Sequence, residues 1–361
     1  MYFLTYIKQN KVRSFNNFED FQNQYLQLLQ QPVERELQYI TQTLKRPQDA
    51  KFNTDNLIPT LQALGNQIQA FLEGSPEIHE MYDVFQIPKR SGGMRTIKAP
   101  HDDLKSLQTN AKIVIEKALQ VHPHNAAWAY REKRSIKGAI QLHQKNESEF
   151  FLKLDIKNFF DNCHPEFVKA TLSKIFPFCH APNLLDPIIT LATLDNGLPQ
   201  GTPLSPTLTN LIMVPFDHYL SMYAKRHGMV YTRYADDLLI SSKNSFEFQK
   251  VVTYIEKLFV RFQYPFELKQ DKTRYGTRHG RNWNLGLMLN KDNQITLGHE
   301  TKRKLKVVLH KIVQKELPAK DPATIGMFAY LRQIEPDYYN GLNNYAYMKY
   351  GRGISGIINP R

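Results

Sequence analysis

The stretch from Val230 to Ser242, VYTRYADDLLISS, places Asp236 and Asp237 between two runs of β-prone residues. Valine, isoleucine and tyrosine favour strands, and a short polar break between two such runs is typical of a hairpin. The stretch therefore predicts a strand, a tight turn and a second strand. An Asp-Asp pair is common in surface turns. Flanks this apolar indicate instead a turn that is held rigidly.

The charge of the chain narrows the choice of partner. Its 361 residues include 47 Lys and Arg against 34 Asp and Glu, a formal net charge of +13. This excess favours a polyanionic partner, either nucleic acid or an anionic membrane surface, and the alternative is a merely soluble basic protein. No apolar run approaches the ~18 residues that cross a bilayer. The two cysteines, Cys163 and Cys179, have no metal-binding spacing. We therefore expect a cytoplasmic protein that binds nucleic acid and no membrane.

A third carboxylate, Asp155, ends an apolar run that begins at Glu149, EFFLKLDIKNFFDN. The order of elements from there to Ser242 predicts an α+β sheet with helices on one face, which would bring Asp155 beside Asp236 and Asp237. Three clustered carboxylates repel one another unless cations neutralise them, and their oxygens suit Mg²⁺ or Mn²⁺. This arrangement predicts two-metal phosphoryl transfer. The alternative is a helix cap at Asp155 and an ordinary turn at the pair.

Proline and glycine positions, together with the spacing of apolar residues, divide the remainder of the chain into predicted elements. Residues before Ser75 predict a helical layer, because apolar side chains recur at helical spacing at Phe18, Phe21, Tyr25, Leu28 and Leu29. The stretch from Tyr82 to Pro100 predicts a basic hairpin around Ser91-Gly92-Gly93. Residues 165–195 predict helices interrupted at Pro177, Pro182 and Pro187.

The C-terminal third begins with KQDKTRYGTRHGR, which predicts a loop, and continues with a hairpin around NLGLMLNKDNQITLG. From Thr301 a basic amphipathic helix is expected, with Leu305, Leu309 and Ile312 on its apolar face. A further helical region is rich in tyrosine and is expected to end at Gly351.

These motifs resemble those of reverse transcriptases, in the family's order, over about Tyr82 to Asn290. YADD at 234–237 resembles motif C, LKLDIKNFF motif A, and LPQGTPLSPTLTN motif B. The remaining matches are IPKRSGGMRTIKAP to the fingers hairpin, AWAYREKRSI to the segment before motif A, KQDKTRY to motif D and NLGLMLN to the primer-grip motif E.

The resemblance implies an α+β right-hand polymerase fold with fingers, an antiparallel-sheet palm and a helical thumb. The predicted domains are an N-terminal helical extension at 1–80, fingers at 81–150, a palm at 151–298 and a thumb at 299–361, with helices in 165–195 contributing to the fingers. It implies an RNA-directed DNA polymerase that adds dNTPs to a primer using two Mg²⁺ ions, for which Mn²⁺ can substitute.

The resemblance also assigns roles to residues at matching positions. Asp155, Asp236, Asp237 and the carbonyl of Ile156 are the expected metal ligands, and Lys272 is expected to protonate the leaving pyrophosphate. Lys89 and Arg95 would hold the triphosphate, Phe160 would exclude a ribose 2′-hydroxyl, and Gln200 and Gly201 would admit the template base pair. The expected nucleic-acid contacts are Arg134, Lys302, Arg303 and Lys306. Solvated surface lysines and a core aromatic are the alternatives.

Within the family, the boxes resemble those of compact bacterial enzymes, namely retron and defence-associated reverse transcriptases. Two retron boxes are altered here, at 138–143, where Gly138 replaces Asn, and at 284–286. The sequence therefore predicts a polymerase that copies a dedicated noncoding RNA in antiphage defence, with a second protein of the defence operon as a candidate partner. The alternatives are a retron enzyme making msDNA, template-independent or protein-primed synthesis of the abortive-infection type, and a noncatalytic RNA-binding scaffold.

Overall fold

The computed structural model describes residues 2–6, 11–15, 54–75, 77–88, 92–118, 123–174, 178, 182–278 and 286–360. The predicted helical pattern from Phe18 to Leu29 lies outside these residues, as do Lys89, Cys179 and positions 284–285 of the altered box. Contacts divide the chain into two units. The first contains Met1–Tyr130, Ile156–Met222 and Gln249–Leu268, and the second contains Arg131–Asp155, Tyr223–Phe248 and Lys269–Arg361.

The first half of the chain mixes hairpins and helices. In order, its elements are β1 (Tyr2–Tyr6), β2 (Lys11–Phe15), α1 (Thr54–Gly74), β3 (Tyr82–Pro88), β4 (Met94–Pro100), α2 (Asp102–Ala118), α3 (Ile136–Lys145), β5 (Phe150–Asp155), α4 (Pro165–Leu172) and α5 (Pro182–Ala192).

The second half contributes the remaining strands and the C-terminal helices. Its elements are α6 (Ser205–Ile212), α7 (Val214–Arg226), β6 (Met229–Tyr234), β7 (Asp237–Ser242), α8 (Phe248–Arg261), β8 (Arg274–Thr277), β9 (Met288–Leu289), β10 (Ile295–Thr296), α9 (Gly298–Val313), α10 (Pro322–Ile334), α11 (Pro336–Tyr350) and α12 (Ile354–Ile358). Among the described residues no helix is long and apolar enough to span a bilayer.

The first unit contains the predicted basic hairpin and a helical core. Strands β3 and β4 pair antiparallel from Tyr82 opposite Pro100 to Pro88 opposite Met94. Helix α1 packs on α5 so closely that a Cβ at Gly65 would lie 3.3 Å from the carbonyl oxygen of Asn183. The phenol of Tyr264 donates a hydrogen bond of 2.6 Å to the carbonyl of Ile212, which ties the segment after α8 to the end of α6.

Two local predictions in the first unit were wrong. Pro187 does not interrupt a helix but lies inside α5. The packing of this apolar helix, with Leu184, Ile188 and Leu191 fully buried, outweighs the backbone hydrogen bond that proline removes. At the N-terminus, part of the expected helical layer is a hairpin, because the runs YFLTY and KVRSF are β-prone and pair antiparallel as β1 and β2.

The second unit is built on a four-stranded antiparallel sheet in the order β6-β7-β5-β8. Strand β7 is central, and its Leu238 and Ile240 pair with the equally buried Leu154 and Leu152 of β5. The predicted strand–turn–strand at 230–242 and the predicted strand ending at Asp155 are therefore confirmed, and they lie side by side.

The edge strand β8 replaces a predicted loop. Residues 274–277 pair with β5 from Lys153 to Phe150. The local sequence RYGT shows no alternation, but Tyr275 stacks on Phe150 and Phe248 and meets Phe246 edge-on at 5.1 Å. These partners come from elsewhere in the chain, so the strand forms through packing that the local pattern does not reveal.

The basic amphipathic helix is confirmed as α9. Leu305, Leu309 and Ile312 are buried in one core with residues of the following helices, among them Phe328 of α10 and Leu342 of α11. Helix α11 ends as predicted at Gly351, which has φ +71°, a left-handed conformation that glycine adopts without steric cost.

A buried histidine fastens α3 to the centre of the sheet. His143 Nδ1 lies 2.6 Å from Ser241 Oγ on β7, and Nε2 lies 2.8 Å from Thr232 Oγ1 on β6. The ring is fully buried, and burial lowers the pKa of His143 to about 3. The imidazole is therefore neutral and bridges two neighbouring strands.

We expect His143→Gln to be about 1–3 kcal/mol less stable at pH 7.5, because buried hydroxyls lose partners. In the protein without this substitution, His143 has its ordinary pKa of 6.5 when the chain is unfolded and a pKa of about 3 when it is folded. The free energy of unfolding therefore falls as the pH drops through this interval. Urea unfolding at a series of pH values should show a shallower fall for His143→Gln. The exposed His299→Gln is the control, and an unchanged slope in His143→Gln would contradict the assignment.

Candidate active site at one end of the sheet

The register of the sheet in the second unit gathers three carboxylates. Asp155 lies directly opposite Asp237 in the β5–β7 ladder, and residues directly opposite in an antiparallel pair project to the same face. Tyr234 pairs with Asp237, so Ala235 and Asp236 form a two-residue turn between β6 and β7. The structure thus brings together the three aspartates that the sequence predicted to be neighbours.

A buried arginine stabilises the turn between β6 and β7. Ala235 has φ +57°, in the left-handed region that alanine rarely adopts. Its carbonyl accepts a hydrogen bond of 3.1 Å from Nη1 of Arg233, whose side chain is almost fully buried. Backbone strain of this kind persists where the surroundings over-determine the conformation, and it is frequent at functional sites.

Three lysines contact the aspartates. Lys153 Nζ lies 3.0 Å from Asp237 Oδ2, and Lys272 Nζ lies 2.9 Å from Asp155 Oδ2. Lys269 Nζ lies 3.0 Å from Asp155 Oδ1, and its backbone N–H donates to the Asp155 carbonyl. Sequence reasoning predicted Lys272 but missed the other two. A signal for Lys153 was available, because it lies two residues before Asp155 and so faces the same side of β5.

The ion pairs of these three lysines go to Asp155 and Asp237, so Asp236 receives the least neutralisation from nearby positive charge. Burial, followed by the charges of Asp237 and Asp155, raises the pKa of Asp236 to about 6. Burial also raises the pKa of Asp237, and the Lys153 ammonium opposes that rise. The pKa of Lys272 is raised, chiefly by its hydrogen bond to Asp155. The three lysines match the three aspartates in formal charge, yet burial and the two neighbouring carboxylates still disfavour the ionised form of Asp236.

The donor set fits a hard divalent cation. It consists of carboxylate oxygens, the ligands that Mg²⁺ prefers. Asp155 Oδ1 is buried and, despite its ion pair with Lys269, accepts no hydrogen bond. Within the described residues no three acidic, histidine or cysteine side chains already converge as a closed metal-binding group. In this structure the ammonium groups of Lys269 and Lys272 contact the two oxygens of Asp155. A bound cation would take over part of this neutralisation.

The predicted nucleotide-binding residues lie in the first unit. The Phe160 ring is half-buried and meets Tyr130 and Phe159 edge-on, and Phe159 is a core residue. The Gln200 carbonyl accepts a hydrogen bond of 2.9 Å from the N–H of Lys98 on β4.

Gly201 adjoins the same strand, and its φ of +111° and the 2.8 Å from its ideal Cβ position to Ile97 both exclude a larger residue there. Arg95 is exposed on β4, and Ile156 is buried and bridges to Leu268.

The predicted nucleic-acid contacts in the second unit differ in their surroundings. Lys302 is not a freely solvated lysine, because it pairs with Glu335 at 3.0 Å and lies over the ring of Tyr338. Lys306 is exposed and lies 4.1 Å from the centre of the Tyr345 ring. Arg303 is exposed on the same helix, and Arg134 is half-buried before α3.

The hairpin of β9 and β10 adjoins a cavity of about 320 Å³. Residues of this hairpin line it together with His299, Lys302 and Glu335. Glu335 Oε1 accepts hydrogen bonds from Thr296 Oγ1 and the N–H of Leu297, so this carboxylate connects the hairpin to the helical region that follows.

Solved structures of telomerase show a distant likeness. Apo telomerase from Candida tropicalis superposes with a TM-score of 0.47 at 11% identity, covering 84% of this chain and 64% of that chain. Telomerase from Candida albicans in complex with a fragment of telomeric RNA gives 0.45 at 13% identity, covering 81% and 64%.

Sequence comparison is more specific. Retron Ec83 reverse transcriptase of Escherichia coli is 29% identical over 304 residues, 81% of this chain and 93% of that protein. Retron Mx65 reverse transcriptase of Myxococcus xanthus is 30% identical over 274 residues, 71% of this chain and 62% of that protein. The profile of the family "Reverse transcriptase (RNA-dependent DNA polymerase)" matches residues 87–307, more than half of the chain, and this segment includes all three aspartates. The chain therefore belongs to the reverse transcriptase family and is an RNA-directed DNA polymerase.

Proposed function

We propose that this polymerase is of the retron type and copies a dedicated noncoding RNA into DNA at the Asp155–Asp236–Asp237 site. The observation that carries the catalytic assignment is the register, which sets Asp155 opposite Asp237 beside the strained turn. The names of relatives such as the Ec83 and Ec73 retron reverse transcriptases of Escherichia coli support the choice of RNA class. A role in antiphage defence, a second protein of the same operon and a cytoplasmic location belong to the same proposal.

Members of this family are in general divalent-metal-dependent polymerases, and we propose two Mg²⁺ ions here. Asp155, Asp236 and Asp237 would hold them, with the carbonyl of Ile156 as a further ligand. The chemistry that such ions would supply when bound is activation of the primer 3′-hydroxyl and stabilisation of the leaving pyrophosphate. The raised pKa of Asp236 and the buried Oδ1 of Asp155, which has an ion pair but no hydrogen bond, both favour such a partner.

The chain's own residues supply orientation and proton transfer. Lys153 pairs with Asp237 and so fixes the orientation of that carboxylate. The ammonium of Lys272, held beside Asp155, is our proposed donor of a proton to the pyrophosphate oxygen. Lys269 remains as a second cation on Asp155 when that proton has left.

The first unit would select the nucleotide, and α9 would follow the duplex. Arg95, exposed on β4, suits a triphosphate because Arg can bind phosphate bidentately, and the sequence motif adds Lys89 as a second cation. The Phe160 ring would crowd a ribose 2′-hydroxyl. Arg303 and Lys306 are exposed and, like Arg134, are suited to phosphate contacts that weaken with salt. Lys302 also has a structural role, because it pairs with Glu335.

We expect Asp236→Ala and Asp237→Ala to lose Mg²⁺-dependent dNTP incorporation on a primed RNA by more than about 10³-fold, because metal positioning supplies several kcal/mol of transition-state stabilisation. Primer extension measures the rate, and circular dichroism checks that the fold is retained. Asp292→Ala, an exposed aspartate of the same unit, should keep full activity. Full activity in either site variant would refute the assignment.

The Asp236→Asn variant should be more stable than the native protein when metal is chelated. The pKa of Asp236 rises from 3.8 to about 6, so its ionised form opposes folding above pH 6. At 1.4 kcal/mol per pKa unit the gain at pH 7.5 is at most about 3 kcal/mol. Thermal unfolding in EDTA measures it, with exposed Asp292→Asn as the control. A lower melting temperature for Asp236→Asn would show that the carboxylate is not strained by its neighbours.

Sequencing the nucleic acid that co-purifies with the protein tests the retron proposal. We expect one defined noncoding RNA joined to DNA complementary to part of it, and no such DNA with the Asp236→Ala protein. DNA that matches no RNA would indicate template-independent synthesis, and DNA attached to the polypeptide would indicate protein priming. Either result would overturn the proposed retron chemistry and leave the polymerase assignment intact.

A further inference from the structure

A tight turn at residues 194–197 lies directly before motif B in the first unit. Leu194 and Gly197 exchange both backbone hydrogen bonds, at 2.9 and 3.1 Å, so Asp195 and Asn196 form a two-residue hairpin loop. Both have positive φ, +51° and +61°, as a type I′ turn requires. Asp and Asn are the non-glycine residues that best tolerate this conformation.

The turn is held to other parts of the unit by polar contacts. Lys98 Nζ on β4 lies 2.6 Å from Asp195 Oδ2, and His79 Nδ1 lies 3.3 Å from Oδ1. His164 Nδ1 lies 2.7 Å from the Asn196 carbonyl. The Lys98 side chain is only 19% exposed, and its hydrogen bond lowers the pKa of Asp195.

After the turn, Gly197 and Leu198 contact the backbone of Asp161 and Phe160. A Cβ at Gly197 would lie 2.7 Å from the Asp161 carbonyl oxygen, so the two segments are in close contact. The N–H of Leu198 donates a hydrogen bond of 3.1 Å to the Phe160 carbonyl. Any movement of the turn would therefore reach the backbone that carries the Phe160 ring.

Lys98 contacts the same segment a second time, through its main chain. Its N–H donates to the Gln200 carbonyl, and its carbonyl oxygen would lie 3.2 Å from a Cβ at Gly201. One residue of β4 thus fixes both ends of the segment from Asp195 to Gly201. The segment cannot shift towards or away from β4 without breaking the ion pair or this hydrogen bond.

We propose that Lys98 and Asp195 are positioning residues for sugar selection, and that their ion pair fixes the distance between the Phe160 ring and strand β4. The inference rests on the proposed role of Phe160 in excluding the ribose 2′-hydroxyl. The Asp195 side of this ion pair is half exposed, so solvent screens it and its contribution to stability is modest. Selection between sugars that differ by one hydroxyl, by contrast, responds to displacements of an ångström or less.

The test compares kcat/KM for one dNTP and the matching rNTP in single-nucleotide extension. Asp195→Asn removes the charge and keeps a residue that tolerates positive φ, and Lys98→Met keeps the backbone donor to Gln200. We expect each to lower the dNTP preference about two- to fivefold, as loss of one ion pair allows. Lys98→Arg should restore it, and the double variant should lose no more than either single variant.

A matched control breaks another ion pair of the same unit. Lys169 and Asp186 pair between α4 and α5, with both side chains at least half exposed. Asp186→Asn should leave the dNTP preference unchanged. Equal losses of dNTP and rNTP use in Asp195→Asn and Lys98→Met would indicate general disruption and overturn the proposal.

Phe160→Ala separates failure of this inference from failure of the function on which it rests. If Phe160→Ala does not admit rNTPs, the assigned role of Phe160 is wrong and the inference is overturned with it. If Phe160→Ala admits rNTPs and neither ion-pair variant changes the preference, the inference alone is overturned. If all three relax the preference and Asp186→Asn does not, the proposal holds.

Discussion

The pairing of Asp155 with Asp237 is the interaction around which the second unit is organised. Like charges directly opposite in an antiparallel ladder destabilise it, and Asp236 in the adjoining turn adds a third. The chain offsets part of this repulsion with lysines from three places, namely β5, the start of the 269–272 segment and its end. Burial, and after it the charges of Asp237 and Asp155, still raises the pKa of Asp236. A cation bound at this position, as we propose, would relieve both the burial cost and the repulsion.

A repulsive cluster stays in place only on a rigid support. The buried leucine and isoleucine pairs of β5 and β7 provide one, and Arg233 holds the turn through the carbonyl of Ala235. His143 adds a polar bridge from α3 to β6 and β7, with both ring nitrogens in use. Buried polar groups of this kind are costly if a partner is lost, so they favour one arrangement of the strands.

The two units use the same local device at different sites. In the second unit a two-residue turn with left-handed Ala235 presents Asp236. In the first, a two-residue turn with left-handed Asp195 and Asn196 backs the segment of Phe160. Each turn is short, and each is held by a basic side chain, Arg233 or Lys98. Short turns that are over-determined by their contacts move little, so each turn fixes the position of the segment beside it.

The sequence by itself determined the features that depend on local periodicity and on short motifs. A few neighbouring residues specify each of these features: the hairpins at 82–100 and 229–242, the strand ending at Asp155, the apolar face of α9 and the end of α11 at Gly351. The order of the motifs was enough to indicate the polymerase family. Only the tertiary structure decided that β8 is a strand, that Pro187 lies inside a helix and that β1 and β2 pair. It also decided that Lys302 is bound by Glu335, and that Lys98 meets Asp195 across 97 positions of the chain. These outcomes depend on packing partners that are distant in sequence, and the residues near each position do not specify those partners.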